Sequence, residues 1–357
     1  MKKLIVSQAP HIHGKENTRR LMLDVIIALI PAVLVSIYFF GLTAAHLVAV
    51  SVLSCVVVEF LIQKYLLKGK SSIGDLSAVV TGVLLALNLP VCSPWWMILI
   101  GSVVAIGIAK MTFGGLGQNF FNPALVGRVV LLVSFPVLMT SSAFRAPESK
   151  AALDFNSKAK LEALVASPKS DAFSGATPLA LVKEELAKTD ESGAKINTVK
   201  KIMDENPGKF SYSSILFARN GSAGEISAIA LLLGFIYLLV RRVIKPYISL
   251  SILLTVVVFS GILWLANPER FTDPVFNLLT GGLLLGAFFM ATDYVTSPMI
   301  AKGQIVFGIG IGVITVLIRE FGAYPEGVSF AILIMNATVP LLNKFRPKRF
   351  AGEAHKK

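Results

Sequence analysis

The chain has 357 residues, of which 54% are hydrophobic and only 15% charged. Soluble proteins carry about 25% charged residues, so a soluble globular domain is excluded and a polytopic membrane protein is expected. The net charge of +13 does not point to nucleic acid, because the basic residues lie between apolar runs rather than on one face or in one block.

Residues 1–20 form a short cytoplasmic start with no cleavable signal, since the apolar stretch after Met1-Lys2-Lys3 is soon broken by Gln8 and Pro10. About ten stretches then approach the ~20 apolar residues that a membrane helix needs. They run over 21–40, 43–63, 73–89, 95–111, 124–141, 225–240, 247–266, 275–292, 303–319 and 327–343. The expected organisation is a first five-helix half (21–141), a polar interval (142–224), a second five-helix half (225–343) and a basic cytoplasmic tail (344–357). The fold class is all-α.

Orientation follows from the basic residues. With a cytoplasmic N-terminus, the inner segments hold Lys64, Lys68, Lys70, Lys110, Arg241, Arg242, Lys245 and Lys302 besides both charged ends. The short outer loops hold only Arg270 and Arg319. Both termini are therefore expected in the cytoplasm and the interval 142–224 outside. Thr81-Gly82-Val83-Leu84-Leu85 recurs five helices later as Thr280-Gly281-Gly282-Leu283-Leu284. An odd-numbered unit inverts its topology, so two inverted five-helix repeats are expected.

Two loops read as broken elements: Phe113 to Pro123, rich in glycine and asparagine, and Met290 to Pro298. Irregular backbone at membrane depth is tolerable only beside protein, water or a ligand. Both fall on the expected cytoplasmic side, at matching places in the halves. Charged residues near or inside the apolar runs are Asp24, Glu59, Asp75, Arg128, Glu225, Asp293 and Glu320. Asp24 and Arg128 are the deepest; the others lie near helix ends, where interfacial exposure is the simpler expectation. Asp24, Asp75 and Asp293 are candidates for an ion path, with oxygens suited to a small hard cation. Thr81, Asn88 and Thr280 could add uncharged ligands. Cys55 and Cys92, and the scattered His11, His13, His46 and His355, make no metal site.

The polar interval contains Asp171-Ala172-Phe173-Ser174-Gly175-Ala176-Thr177-Pro178. Pro178 biases Thr177 toward extended backbone. The run after it places Leu179, Val182 and Leu186 on one helical face. By local physics Thr177 is then an ordinary N-cap with Pro178 at the first position. An esterified phosphate there would also meet unpaired backbone N–H groups.

Asp171-x-x-Ser174-Gly175-Ala176-Thr177 is similar to the acceptor pattern of a bacterial flavin transferase, which joins FMN to threonine through a phosphodiester. Together with Ser7-Gln8-Ala9-Pro10-His11, Gly114 to Arg128 and Phe288 to Pro298, it makes nearly the whole chain resemble the NqrB/RnfD family of flavin-bearing membrane subunits. The short start before the first helix favours the Rnf branch, the ion-translocating ferredoxin:NAD⁺ oxidoreductases. The alternatives are the sodium-pumping NADH:quinone type and a cofactor-free inverted-repeat channel or transporter. The resemblance implies a bacterial inner-membrane electron-transfer subunit of a translocase, not catalytic alone. It implies phosphothreonyl-FMN at Thr177 and a second, noncovalent flavin, riboflavin or FMN. It further implies sibling subunits, among them another covalent-FMN subunit and iron–sulfur subunits, a flavin transferase for maturation, and Na⁺ or H⁺ as the ion moved.

Overall fold

The computed structural model describes residues 17–68, 72–140, 222–225, 227–322 and 326–344, together with 179, 182, 183, 199 and 324. The motif Asp171, Ser174, Gly175, Ala176 and Thr177 lies outside the described residues, as do both chain ends. Every regular element among the described residues is helical.

The first half comprises α1 (Thr18–Phe40), α2 (Leu42–Leu61), α3 (Ser77–Leu87), α4 (Trp95–Ser102), α5 (Pro123–Ser134) and the short α6 (Pro136–Thr140). The second comprises α7 (Ala228–Val240), α8 (Tyr247–Ala266), α9 (Pro274–Leu279), α10 (Leu283–Leu285), α11 (Ala301–Phe321) and α12 (Val328–Leu342). Helices occupy all ten intervals read from the sequence, with two refinements. Phe135-Pro136 splits the fifth, and Thr280-Gly281-Gly282 breaks the eighth. Among the described residues, five helical stretches are long and apolar enough to cross a membrane: Thr18–Phe40, Leu42–Leu67, Trp95–Phe113, Tyr247–Ala266 and Ala301–Phe321. Four more apolar helices are shorter, Ser77–Leu87, Pro123–Ser134, Ala228–Val240 and Val328–Leu342.

The chain is arranged as a protein in lipid requires. Large apolar side chains such as Leu34, Leu53, Leu254 and Ile262 face outward. Serines turn inward and bond across helices: Ser51 Oγ donates to Gly82 O at 2.8 Å, and Ser249 Oγ to Ala287 O at 2.8 Å. Lipid gives helices no hydrophobic reason to associate, so close backbone approach and such bonds do it instead. At the contact of α1 with α7, a Cβ on Gly234 would collide with the carbonyl oxygen of Ala28. Only glycine fits there, and the two halves meet through it.

Among the described residues, three helices widen into π-helical turns before they end, at Ile62–Leu67, Val103–Ile108 and Gly286–Met290. All three lead to one end of the bundle, where α1, α3 and α5 begin and α7 ends. Such wide turns free carbonyls and often mark functional positions.

The two loops predicted to be broken do sit together at that end. They are not equivalents, however. One follows the fourth helix of its half and the other the third helix of its own, so "matching places" must be corrected. They meet through packing across the halves.

Candidate functional site

At the end just described, a cavity lies between the halves. Leu21, Val25, Ser77, Thr81, Leu84, Lys110, Leu116, Asn119, Asn122 and Pro123 line it from the first half, and Leu238, Ile244, Phe289, Thr292, Asp293 and Val295 from the second. Its space of about 80 Å³ has room for a few water molecules.

Asn122 joins the two walls. Its Oδ1 caps α5, accepting from Ala124 N at 3.1 Å and Leu125 N at 3.4 Å, with Pro123 in the first helical position. Its Nδ2 donates 3.2 Å to Met290 O, at the end of the second half's wide turn. Asn119 is buried beside it. The Nδ2 of Asn119 donates to Phe121 O at 3.1 Å, while its Oδ1 has no partner among the described residues. Asp293 is half-buried and accepts from Thr296 Oγ1 at 3.1 Å. Burial pushes its carboxyl above the usual carboxylate range, against hydrogen bonds from Thr296 and the backbone.

Lys110 corrects a sequence expectation. It is not a solvated inner-loop charge; it is 2% exposed. Its Nζ donates 2.6 Å to Glu59 Oε2 and 2.6 Å to Ser77 Oγ. Glu59 is fully buried, not interfacial, and its other oxygen accepts from Gln63 Nε2 at 3.1 Å and Ser72 Oγ at 2.8 Å. Asp75, half-buried, accepts from Ser77 N at 2.8 Å and Ser77 Oγ at 2.5 Å. These groups tie α2, α3 and α4 together beside the cavity. Asp24 is buried on α1, apart from the cavity lining, and receives Tyr237 Oη at 3.0 Å and Arg241 Nη2 at 3.3 Å from α7.

A second polar cluster lies deeper, six residues or about 9 Å along α5 from Asn122. Arg128 Nη1 donates to Asn88 Oδ1 at 3.0 Å and to Ser329 Oγ at 2.7 Å, and Nη2 is paired with Glu326. Glu225 adds a further negative charge beside this arginine. It too is buried rather than interfacial, accepting from Ser222 Oγ at 2.7 Å. All of this surrounds the break after α9, where Gly281 and Gly282 take φ of 70° and 62°. A Cβ on Gly282 would stand 3.0 Å from Glu225 Oε1. Arg319, expected in an outer loop, is instead buried, and its Nη2 donates to Thr280 O at 2.7 Å and Gly281 O at 2.9 Å. Carbonyls released by a broken helix thus find a guanidinium, as they must away from water. Thr81 and Thr280 both spend their hydroxyls on the carbonyl four residues back, Ser77 O and Phe276 O. Asn88, also singled out from sequence, belongs to this cluster.

The opposite end of the bundle receives the segment after the threonine motif. Leu179 and Val182 are buried with Val199 against Phe276 of α9. Both belong to the face read from the sequence; Leu186 lies outside the described residues. Lys183 Nζ donates to Ile318 O at 3.3 Å, Gly322 O at 2.8 Å and Tyr324 O at 2.6 Å, closing the end of α11. Burial pushes its amine down to about 8, with Glu320 acting the other way, so at neutral pH it keeps the three donors these carbonyls need. Glu320 itself accepts from Thr272 Oγ1 at 2.8 Å and Asn277 Nδ2 at 3.1 Å.

Ionic groups held inside an apolar helical bundle, with broken helices around a cavity between its halves, define a multi-pass membrane protein equipped to handle charge. The chain belongs to the NQR2, RnfD, RnfE family, whose profile matches residues 5–352. It is 44% identical over 349 residues to the D subunit of the Na⁺-translocating ferredoxin:NAD⁺ oxidoreductase complex of Acetobacterium woodii, covering 98% of this chain and 95% of that one. It is 40% identical to the D subunit of the proton-translocating ferredoxin:NAD⁺ oxidoreductase complex of Clostridium ljungdahlii, covering 97% and 95%. It is 36% identical to the D subunit of an ion-translocating oxidoreductase complex of Pectobacterium carotovorum, covering 97% and 98%.

Neither Asn122 as a bridge nor Lys110 as a buried ion was legible as a site residue. Asn-Pro before an apolar run does signal a helix cap. Nothing in a single sequence ties that cap to Met290.

Proposed function

We propose that this chain is the D subunit of an ion-translocating ferredoxin:NAD⁺ oxidoreductase complex of a bacterial inner membrane. It works as two inverted five-helix halves, with FMN esterified to Thr177 and a second flavin held without a bond in the cavity. The observation that carries the assignment is identity of 44% and 40% across nearly the full length of two relatives bearing that designation. The names of the first two favour the ferredoxin-linked reading over the quinone-linked and cofactor-free ones. They differ in the ion named, so overall likeness leaves Na⁺ and H⁺ open. Support for the repeat comes from packing: α2 lies against α3 and α4 as α8 lies against α9 and α11. Its partners would be sibling subunits with iron–sulfur and flavin groups, and a flavin transferase.

The cavity suits the polar edge of a flat heteroaromatic ring. Phe289, Leu84 and Val25 supply apolar walls. Asn119 Oδ1 is an unused acceptor. Lys110 has two of its three N–H donors engaged, and no acceptor for the third is found among the described residues. A flavin's dione edge carries an N–H donor flanked by carbonyl acceptors, which is the complement of that pair. The cavity's space takes this edge; the rest of the ring would lie in the mouth. When bound, the flavin supplies the electron-carrying chemistry, and the chain's residues position it and exclude water. Because Leu179 and Lys183 sit at the end opposite the cavity, the two flavins would flank the bundle.

Asn119→Leu is expected to weaken the noncovalent flavin about tenfold or more, since a buried donor on the ring loses its acceptor. Flavin released by acid from the purified complex measures this. Unchanged release would end the cavity assignment.

Asp24, Asp75 and Asp293 remain the proposed ion-path carboxylates, with Asp293 foremost because it alone of the three lines the cavity. Asp293→Asn is expected to lower the ions moved per electron in reconstituted vesicles while both flavins stay in place. An unaltered ratio would take Asp293 off the path. Cytoplasmic termini and an outer Thr177 loop complete the proposal. Thiol labelling from outside the cell should reach the cysteine of Thr177→Cys and not that of Ile5→Cys.

A further inference from the structure

We propose that Lys110 sets the reduction potential of the flavin in the cavity, holding it up by placing an ammonium against the negative charge of the reduced ring. This rests on reading the cavity as a flavin site.

A buried ion pair is a poor stabiliser, because desolvating both ions offsets their attraction. Helices α2, α3 and α4 could be joined by apolar side chains of the same volume. What a buried pair adds is a fixed field. Here that field has a direction. Lys110 and Ser77 line the cavity, whereas Glu59 does not. Glu59 lies behind, enclosed, with its second oxygen occupied by Gln63 and Ser72. The positive end therefore faces the ligand. The amine cannot swing away: it is 2% exposed and fastened at 2.6 Å to each of two oxygens. It follows directly on the wide turn Val103–Ile108, which delivers the side chain at the cavity wall.

A flavin ring that has taken two electrons and one proton carries one negative charge at neutral pH. The oxidised ring carries none. An ammonium at the cavity wall therefore favours the reduced form selectively, and at low local dielectric the preference is large. Asp293, in the same lining, acts in the opposite sense, so the contribution of Lys110 is isolated only by changing it and keeping Asp293.

The test uses the assembled complex, titrated with dithionite against a reference dye while the noncovalent flavin is followed optically. Glu59→Gln with Lys110→Met removes both charges and nearly keeps volume; Lys110→Arg keeps the charge; Lys110→Met alone leaves Glu59 unbalanced. In the double variant the oxidised form is expected to gain about tenfold, a fall of about 30 mV for a two-electron couple. Lys110→Arg should restore most of it, and Lys110→Met should fall further than the double variant. A double variant that keeps its flavin at the wild-type potential overturns the inference. So does loss of flavin from all three variants, which assigns the pair to helix packing alone. Acid-released flavin from Asn119→Leu separates the two readings: if it is undiminished, the cavity assignment fails first and Lys110 with it. If it falls while the potentials stay fixed, only the role of Lys110 is lost.

Discussion

Thr177→Val is expected to leave the chain dark under ultraviolet light after denaturing electrophoresis, where wild type made with its flavin transferase glows. Valine keeps the β-branched shape of threonine and removes only the hydroxyl, so packing and local backbone preference change little. What is lost is the oxygen proposed to carry the phosphodiester. Ser174 provides the internal control. It is the other hydroxyl of the motif, three residues upstream, and it stays in place in Thr177→Val, so a dark band assigns the bond to Thr177 and not to Ser174. Mass spectrometry of the peptide spanning 171–178 should show the added FMN in wild type only. A fluorescent Thr177→Val band would remove covalent attachment from this position. The effect is all-or-none because a bond, not an affinity, is at stake. The described residues just beyond the motif give the attachment a setting: Leu179 and Val182 are buried against Phe276, and Lys183 closes α11. A flavin tethered two residues upstream would be held close to α9, at the end of the bundle opposite the cavity, at high effective concentration.

The second large effect is expected at Arg128. Arg128→Met would take from Glu326, buried at 8% exposure, and from the nearby Glu225 the guanidinium they share. Removing one partner of a buried ion pair typically destabilises by about 3–5 kcal/mol, because the remaining charge stays desolvated. Three helices depend on this guanidinium, since it reaches from α5 to Asn88 after α3, Ser329 on α12 and Glu326 just before α12. Lysine cannot replace it, because one planar group serves partners in different directions. Arg128→Lys should therefore recover little. Arg128→Met combined with Glu326→Gln should lose less than Arg128→Met alone, since one uncompensated charge is gone. Thermal melting of the detergent-solubilised chain checks all three. If Arg128→Met melts with wild type, the cluster does not hold the halves together.

Much of this molecule is legible in its residues, and the reasons are local. Apolar runs of the right length give helices in each of the ten intervals, because a chain in lipid must satisfy its backbone within each segment. Asn122-Pro123 suits a cap, whereas the break at Gly281-Gly282 falls inside a run that hydropathy reads as one helix, although glycine suits that backbone state. The face carrying Leu179 and Val182 is legible from periodicity alone. The failures are also of one kind. Lys110 and Arg319 read as loop charges because both lie at the ends of apolar runs. Glu59 and Glu225 read as interfacial for the same reason. Hydropathy reports how far a charge lies from the edge of a segment, not what faces it.

Residue order was thus enough to establish a membrane protein of many helices and to point to the position of its polar interval and to the threonine proposed to take a flavin. Each of these depends on residue type and on neighbours within a few positions. Packing had to settle that Asn122 reaches Met290, that Lys110 finds Glu59 across 51 positions, and that the two irregular loops share one cavity. The difference lies in the cost of a charge in lipid. A buried ion is tolerable only where another segment brings its counterion, and which segment arrives is settled between helices far apart in the chain.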